Sequence, residues 1–419
     1  MKKLVIRHSP PLSGEILISG SKNAALPILA GCLLCEDTIR LSNLPHLTDV
    51  RVICEILRSL GCVITRENKG TLLLDASSIT RFAAPYGLAG KMRASFLIMG
   101  PMLARFGKIR LSLPGGCPIG SRPVNLHLKG FAALGAEISQ GHGYVELSAP
   151  HLTGTRLYLD FPSVGATENI LMASVLADGV TVIENAAAEP EIVDLASFLC
   201  SMGAQITGAG TDTIRIQGVP LLHGTDYAII PDRIEAGSFM IAAAMTQGDV
   251  TLRGVICDHL KPVTAKLRES GVQVTDSDDS VRVRAAQTRR PLDIKTLPFP
   301  GFPTDLQAQM MALLSVTKGT SIITETIFEN RFMHAAELAR MGADIKIEGR
   351  TAIVEGQNTL TGSEVCATDL RAGASLVLAG LTAKGCTTVT GVHHIERGYE
   401  NLDLKLRMLG ADVEFSEIP

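Results

Sequence analysis

The sequence predicts an α/β protein of two similar domains, each made of three copies of one supersecondary unit. Three observations carry this. A phrase that ends a helix on glycine and then enters a strand recurs as RSLGCVI, AALGAEI, CSMGAQI, RESGVQV, ARMGADI and RMLGADV. Its glycines, Gly61, Gly135, Gly203, Gly271, Gly342 and Gly410, lie 74, 68, 68, 71 and 68 residues apart, a spacing that marks an array of repeated units. Alternating strands follow most copies, as in TIRIQG and VRVRA, and others precede them, as in DTIRLSNL, GVTVIENA, GDVTLRGV, GTSIITET and GCTTVTGV. Finally, 419 residues that are 46% hydrophobic can bury a large core but are too many for a single one.

Each unit reads as strand, helix and two strands, with a further apolar helix ahead of it. These leading helices are KNAALPILAGCLL, RASFLIMGPMLA, ATENILMASVLA, EAGSFMIAAAM, LQAQMMALLSV and RAGASLVLAG. They are apolar nearly all round, so each belongs at the centre of its domain. The glycine closing the second helix fits a C-terminus, where the chain enters the left-handed region without a Cβ penalty. Six units make two sets of three, divided at YAIIPDRIEAG, near residue 229.

The starts of the leading helices carry the first functional signal. Lys22, Arg93, Arg233, Asp305 and Arg371 stand at or just before five of them, and the remaining one has PSVGAT with Ser163. A helix N-terminus already attracts anions through its free N–H groups and its dipole. A base there is unfavourable for the helix itself, so four basic residues in that place point to phosphate or carboxylate groups. The pattern predicts an anionic substrate held between two domains.

Composition excludes other classes. A net charge of −3, five tyrosines and no tryptophan leave neither the electrostatic footprint nor the stacking surface of a nucleic-acid binder. The opening MKKLVIRHSPPLSG has only a three-residue apolar run and does not read as a signal peptide. The longest apolar segment, 24–35, is too short to cross a bilayer. Nine scattered cysteines suggest no disulfide framework. Cys32 and Cys35 form a CxxC inside an apolar helical run with no second pair, and no HExxH, P-loop or strand-anchored GxGxxG is present. The expectation is a soluble cytoplasmic protein without a metal site.

Cys117 is the most unusual candidate. It lies in LPGGCPIGSRPVNL, behind two glycines and five residues before Arg122. A nearby guanidinium favours the thiolate and the glycines let the segment move, so the thiol suits either a general acid or a nucleophile. Asp305, in FPTDLQAQ, fits helix capping, because Thr304 and Gln307 have capping-box spacing. Asp232 and Glu235 form a similar box, read as structural. Lys22 and Asn23 open a helix in GSKNAALP, while Arg331 in FENRFMH and Arg397 in HHIERGYE sit in polar loops.

GSKNAALP, MRAS, LPGGCPIGSRPV, SVGAT, ENAAAEPEIVDLA, PDRIEAG, FPTDLQAQ, TETIFENRFMH, ATDLRAGASLVLAG and HHIERGYE together resemble the motifs of the UDP-N-acetylglucosamine enolpyruvyl (1-carboxyvinyl) transferases, over about residues 14–412. The resemblance implies a two-domain inside-out α/β barrel, each domain three βαββ repeats around buried central helices. It implies domains of 22–229 and of 1–21 with 230–419, and an active site in the cleft between them. The implied reaction moves the enolpyruvyl group of phosphoenolpyruvate to the 3-hydroxyl of UDP-N-acetylglucosamine, the first committed step of peptidoglycan synthesis, without a cofactor; nothing in the sequence itself demands more than a monomer. By motif match Cys117 is the acid, able also to trap phosphoenolpyruvate covalently, and Asp305 is the base. Lys22, Arg122 and Arg397 would hold phosphate and carboxylate, supported by Arg331 and Arg371, and Asn23 is a further substrate-binding position. Arg93, Arg122, Pro123, Val124, Asn125, Leu126, Ser163, Val164, Asp305 and Ile327 would hold the sugar nucleotide.

Two residues depart from the family pattern: Asn125 stands where many relatives have aspartate, and Phe161 where some have lysine. Both bear on the nucleotide side. Two rival readings remain in view, the sister 5-enolpyruvylshikimate-3-phosphate synthase and a paralogue that binds without turning over.

Overall fold

The computed structural model describes residues 2–90, 92–113, 119–120, 123–141, 143–285 and 288–417. They divide into two compact units. The first runs from Gly20 to Ile230; the second takes the residues up to Ser19, Ile119 and Gly120, and everything from Pro231 onward. Each unit has its own hydrophobic core.

The repeated phrase folds as its glycines require. The second helix of each repeat (Thr48–Leu60, Asn125–Ala133, Pro190–Ser201, Lys261–Glu269, Met333–Arg340 and Leu402–Met408) runs to within two residues of its glycine. All six glycines have positive φ, between 93° and 118°, the region an L side chain resists. Two antiparallel strands follow the first five, Gln205–Thr207 and Thr213–Gln217 in the third repeat, for example, and one strand, Val413–Glu417, follows the sixth.

Within the described residues the strands form six separate sheets, three in each unit, and no ladder closes into a barrel. The structure adds an element that the sequence reading lacked, a short strand ahead of the leading helix. In the third repeat Arg156–Tyr158 pairs in parallel with Val180–Glu184, and the helix Val164–Ser174 makes the crossover between them. Ile294–Lys295 and Glu364–Cys366 do the same in the fifth and sixth repeats. In the second repeat this strand shrinks to one bridge, Ala83 with Arg110. Segments of two or three residues are too short to show a period, so the pattern missed them.

Connectivity links the sheets to the chain ends. Lys2–Arg7 lies antiparallel between Cys386–Thr390 and Val413–Glu417, with Leu4 opposite both Val389 and Phe415. It supplies the strand that the sixth repeat does not contain. Ser13–Leu17 pairs with Asp249–Arg253 in the second unit, and Asp226–Ala228 with Ile39–Ser42 in the first.

The leading helices are buried as their composition predicts. Every residue from Ala24 to Gly31, Ala166 to Ser174, Ile234 to Met245, Gln307 to Ser315 and Arg371 to Leu381 is buried. Each buried Leu, Ile or Met contributes about 1.5–3 kcal/mol relative to exposure, so helix bodies hold the units together and their N-termini remain for chemistry. No helix of the described residues is long and apolar enough to cross a membrane.

Candidate active site

In the second unit the site is organised around Asp305. It lies in the one-turn 3₁₀ segment Thr304–Leu306, and that turn has no side-chain cap. The capping box expected from Thr304 and Gln307 is therefore absent. Thr304 Oγ1 instead donates to Glu325 Oε2 at 2.8 Å, and the Asp305 carboxylate turns to two arginines. Arg331 Nη2 donates to Oδ1 at 2.8 Å and Arg371 Nη2 to Oδ2 at 2.7 Å. Both guanidiniums are almost wholly buried, with side-chain exposures of 5% and 4%, against 25% for Asp305. Burial alone would lower Arg371, but the negative charges of Asp305 and Asp232 and the hydrogen bond to Asp305 outweigh it and hold the guanidinium above its ordinary value. Arg331, read from sequence as a loop arginine, is a core residue.

Glu325 is a second hub, and sequence reasoning overlooked it. Its buried carboxylate accepts from Thr296 Oγ1, Thr304 Oγ1 and the N–H groups of Ile327 and Phe328. It thereby fixes the turn that carries Ile327 and, with Arg331 Nη1 donating to Thr304 Oγ1 at 3.2 Å, connects that turn to the arginine pair. Arg371 opens its helix behind Asp369, whose carboxylate caps the N–H groups of Arg371 and Ala372. Arg397 ends the 3₁₀ segment Val392–Arg397 and is half-buried. Asp232 caps its helix as expected, whereas Glu235 accepts from Ser19 N–H and Lys405 rather than completing the box.

In the first unit Lys22 starts its helix behind the capping Ser21. Its Nζ lies 3.8 Å from Asp49 Oδ2, with side-chain exposures of 13% and 5%, so it is no solvated surface lysine. Asn23 beside it is half-buried. Arg93 opens the second leading helix and donates to Pro123 O at 3.3 Å, which joins it to Val124, Asn125 and Leu126 at the start of Asn125–Ala133. Ser163 caps the helix that Val164 begins. His127 and Asn169 tie these pieces together. Asn169 bonds Phe96 O, Gly100 N and His127 Nδ1, and His127 lies beneath Gly165, whose Cβ would meet its ring at 3.2 Å. Burial, reinforced by Arg93, pushes the His127 imidazole down to about 3, so it stays neutral. Cys117 and Arg122 lie outside the described residues. The CxxC cysteines are buried and their thiols are pushed up by burial, Cys35 to about 11, as packing residues rather than nucleophiles.

The sequence profile of EPSP synthase (3-phosphoshikimate 1-carboxyvinyltransferase) matches residues 6–406. The chain belongs to this family of enolpyruvyl transferases. Within it, UDP-N-acetylglucosamine 1-carboxyvinyltransferase 2 of Carboxydothermus hydrogenoformans is 60% identical over 416 residues, 99% of either chain. UDP-N-acetylglucosamine 1-carboxyvinyltransferase 1 of Caldanaerobacter subterraneus is 59% identical, over 98% of this chain and 99% of that one. Among solved structures, the enolpyruvyl transferase NikO of Streptomyces tendae superposes with a TM-score of 0.90 at 28% identity, covering 100% of this chain and 99% of its own. EPSP synthase from Acinetobacter baumannii shares the fold, with a TM-score of 0.80 at 19% identity and full coverage of both chains.

In this enolpyruvyl transferase the second unit gathers Asp305, Arg331 and Arg371 into one ion-paired cluster, and the first gathers Arg93 with 123–126. An acid held by two forked guanidiniums has the direction of both oxygens fixed. The residues that hold these clusters, Glu325, Asn169 and His127, left one usable sign in the sequence. Asn169 is a polar residue inside an otherwise apolar helix, a place where burial demands partners.

Proposed function

We propose that the protein transfers the enolpyruvyl group of phosphoenolpyruvate to the 3-hydroxyl of UDP-N-acetylglucosamine and releases phosphate, opening peptidoglycan synthesis in the cytoplasm. The observation that carries this reading is near-full-length identity of up to 60% with enzymes of that name. The hydroxyl oxygen bonds to C2 of phosphoenolpyruvate, its proton passes to Asp305, and C3 gains a proton to become a methyl group. The product of this addition is a tetrahedral ketal phosphate. Elimination then breaks the C2–O bond to phosphate, returns a proton from C3 and leaves the enol ether.

Cys117 is assigned as the acid at C3 or as a covalent trap at C2, and Asp305 as the base. Positioned acid–base groups contribute roughly 10²–10⁴-fold each. Lys22, Arg122 and Arg397 are assigned to the phosphate and carboxylate, so that charge would move against fixed cations with little reorganisation. Asn23 and Arg93, with Pro123, Val124, Asn125, Leu126, Ser163, Val164 and Ile327, hold the acceptor, and Arg331 and Arg371 hold Asp305. Support for the last pair is the buried ion-pair geometry around that carboxylate.

The test is phosphate release from phosphoenolpyruvate, with and without UDP-N-acetylglucosamine, in the native protein and in Cys117→Ser. Release that needs the sugar nucleotide and collapses in the variant is the expected result. Sugar-dependent release that survives in the variant keeps the reaction and removes the cysteine from it. Release that follows a phosphoshikimate acceptor, or nucleotide binding without release, overturns the reading.

A further inference from the structure

We infer that Gln309, Tyr399 and Ser238 form a positioning network that sets the geometry of Asp305 and Arg371 from beneath. The inference rests on the proposed role of Asp305 as the base. Gln309 lies one helical turn beyond Asp305, and its Nε2 donates to the Asp305 carbonyl at 3.1 Å, to Tyr399 Oη at 2.9 Å and to Ser238 Oγ at 3.1 Å. Tyr399 Oη and Ser238 Oγ are 2.8 Å apart, and Ser238 donates to Ile234 O at 2.8 Å. The proton directions are consistent round the network. One amide hydrogen goes to the Asp305 carbonyl and the other to the two hydroxyls, the tyrosine donates to the serine, and the serine donates to its own helix.

Each partner comes from a different element: Gln309 from Gln307–Ser315, Ser238 from Arg233–Met245, and Tyr399 from the turn two residues after Arg397. All three are essentially inaccessible, with exposures of 0%, 1% and 3%. The Arg371 guanidinium carbon lies 5.5 Å from the centre of the Tyr399 ring, close enough for a cation–π contact. One tyrosine thus touches the group that holds Asp305 Oδ2 and, through Gln309, the backbone of Asp305. Buried polar groups in a helical core cost desolvation that Leu or Met would avoid, so such a network persists where it specifies one arrangement. Here the arrangement it specifies is that of the proposed base, its arginine and the start of the turn after Arg397. These side chains act through Asp305 and Arg371 and touch no reacting atom.

The experiment measures steady-state phosphate release from phosphoenolpyruvate and UDP-N-acetylglucosamine, alongside thermal unfolding. Gln309→Met and Tyr399→Phe are each placed in the native chain and in an Asp305→Asn background. Displacing a reacting group by a fraction of an ångström costs roughly ten- to a hundredfold. The native-background variants should therefore lose about tenfold in kcat, with both KM values within about twofold. In the Asp305→Asn background the same changes should cost nothing further, because residues that act as one unit are not additive. Tyr399→Phe keeps the ring and the fold, so it remains informative if Gln309→Met unfolds. Equal losses in both backgrounds would show a general structural role and overturn the inference, as would native-like kcat in both single variants. Full activity in Asp305→Asn itself would remove the base, and the inference with it.

Discussion

At the scale of single residues, Asp305 shows why type and spacing were insufficient. Thr304-Asp305-Leu306-Gln307 has the letters of a capping box, yet Glu325 draws Thr304 away at 2.8 Å and two buried arginines take the aspartate. Those partners are 21 to 66 residues distant in sequence, so no local window contains them. The geometry makes Arg331 irreplaceable by lysine. One end of its fork donates to Thr304 Oγ1 at 3.2 Å and the other to Asp305 Oδ1 at 2.8 Å. An ammonium keeps the charge but is a point donor on a flexible stem and does not reproduce a planar fork. Arg331→Lys should therefore lower kcat by roughly tenfold or more, measured by phosphate release at saturating substrates. A variant as fast as the native protein would mean that charge alone suffices and that the fork is incidental.

At the scale of elements, the repeats were legible because glycine has a backbone reason to recur. All six repeat glycines were identified from spacing and all six have positive φ. The apolar helices were legible for a similar reason, since all-round hydrophobicity has one stable location. The short parallel strands were not, because a strand such as Ile294–Lys295 is defined by its neighbour Ile323–Thr324 and not by its own letters. The equivalent glycines also differ in surroundings. At Gly135 a Cβ would meet nothing within 4 Å, whereas at Gly61 it would lie 2.5 Å from Ser78 O. Gly135→Ala should cost only the left-handed backbone penalty, about 1–2 kcal/mol. Gly61→Ala must also move the Ser78 backbone, and should shift the denaturant midpoint at least about twice as far. Equal shifts would mean that the chain around Ser78 yields without cost.

At the scale of the whole molecule, one scaffold is used six times and differentiated at its helix starts. The fold persists at 19% identity to a solved relative, so most core residues are interchangeable so long as pattern and volume are kept. Polar residues buried inside that core are less interchangeable, and their titration gives the stability a pH dependence of mixed sign. His127 has its folded value pushed down to about 3 from 6.5 by burial and by Arg93. Its contribution is full above pH 6.5 and is lost as pH falls below that value, because the unfolded chain takes up the proton first. Asp194 in the same unit is pushed up to about 6 by burial, although Tyr227 donates to it, and Glu168 is also raised, by burial and by Glu191 and Glu189. Those carboxyls act in the opposite direction. They add stability in acid and lose it as pH rises through their folded values, so the native curve between pH 7 and 5 should be shallow. Comparison with His127→Gln isolates the imidazole, since the amide can still meet Asn169 and does not titrate. The stability gap between native protein and variant, taken from denaturant unfolding of the first unit, should be about 2 kcal/mol smaller at pH 5 than at pH 7. A gap independent of pH would show that His127 binds its proton equally well in the folded and unfolded chains, and that its burial between Asn169 and Gly165 is not maintained in solution.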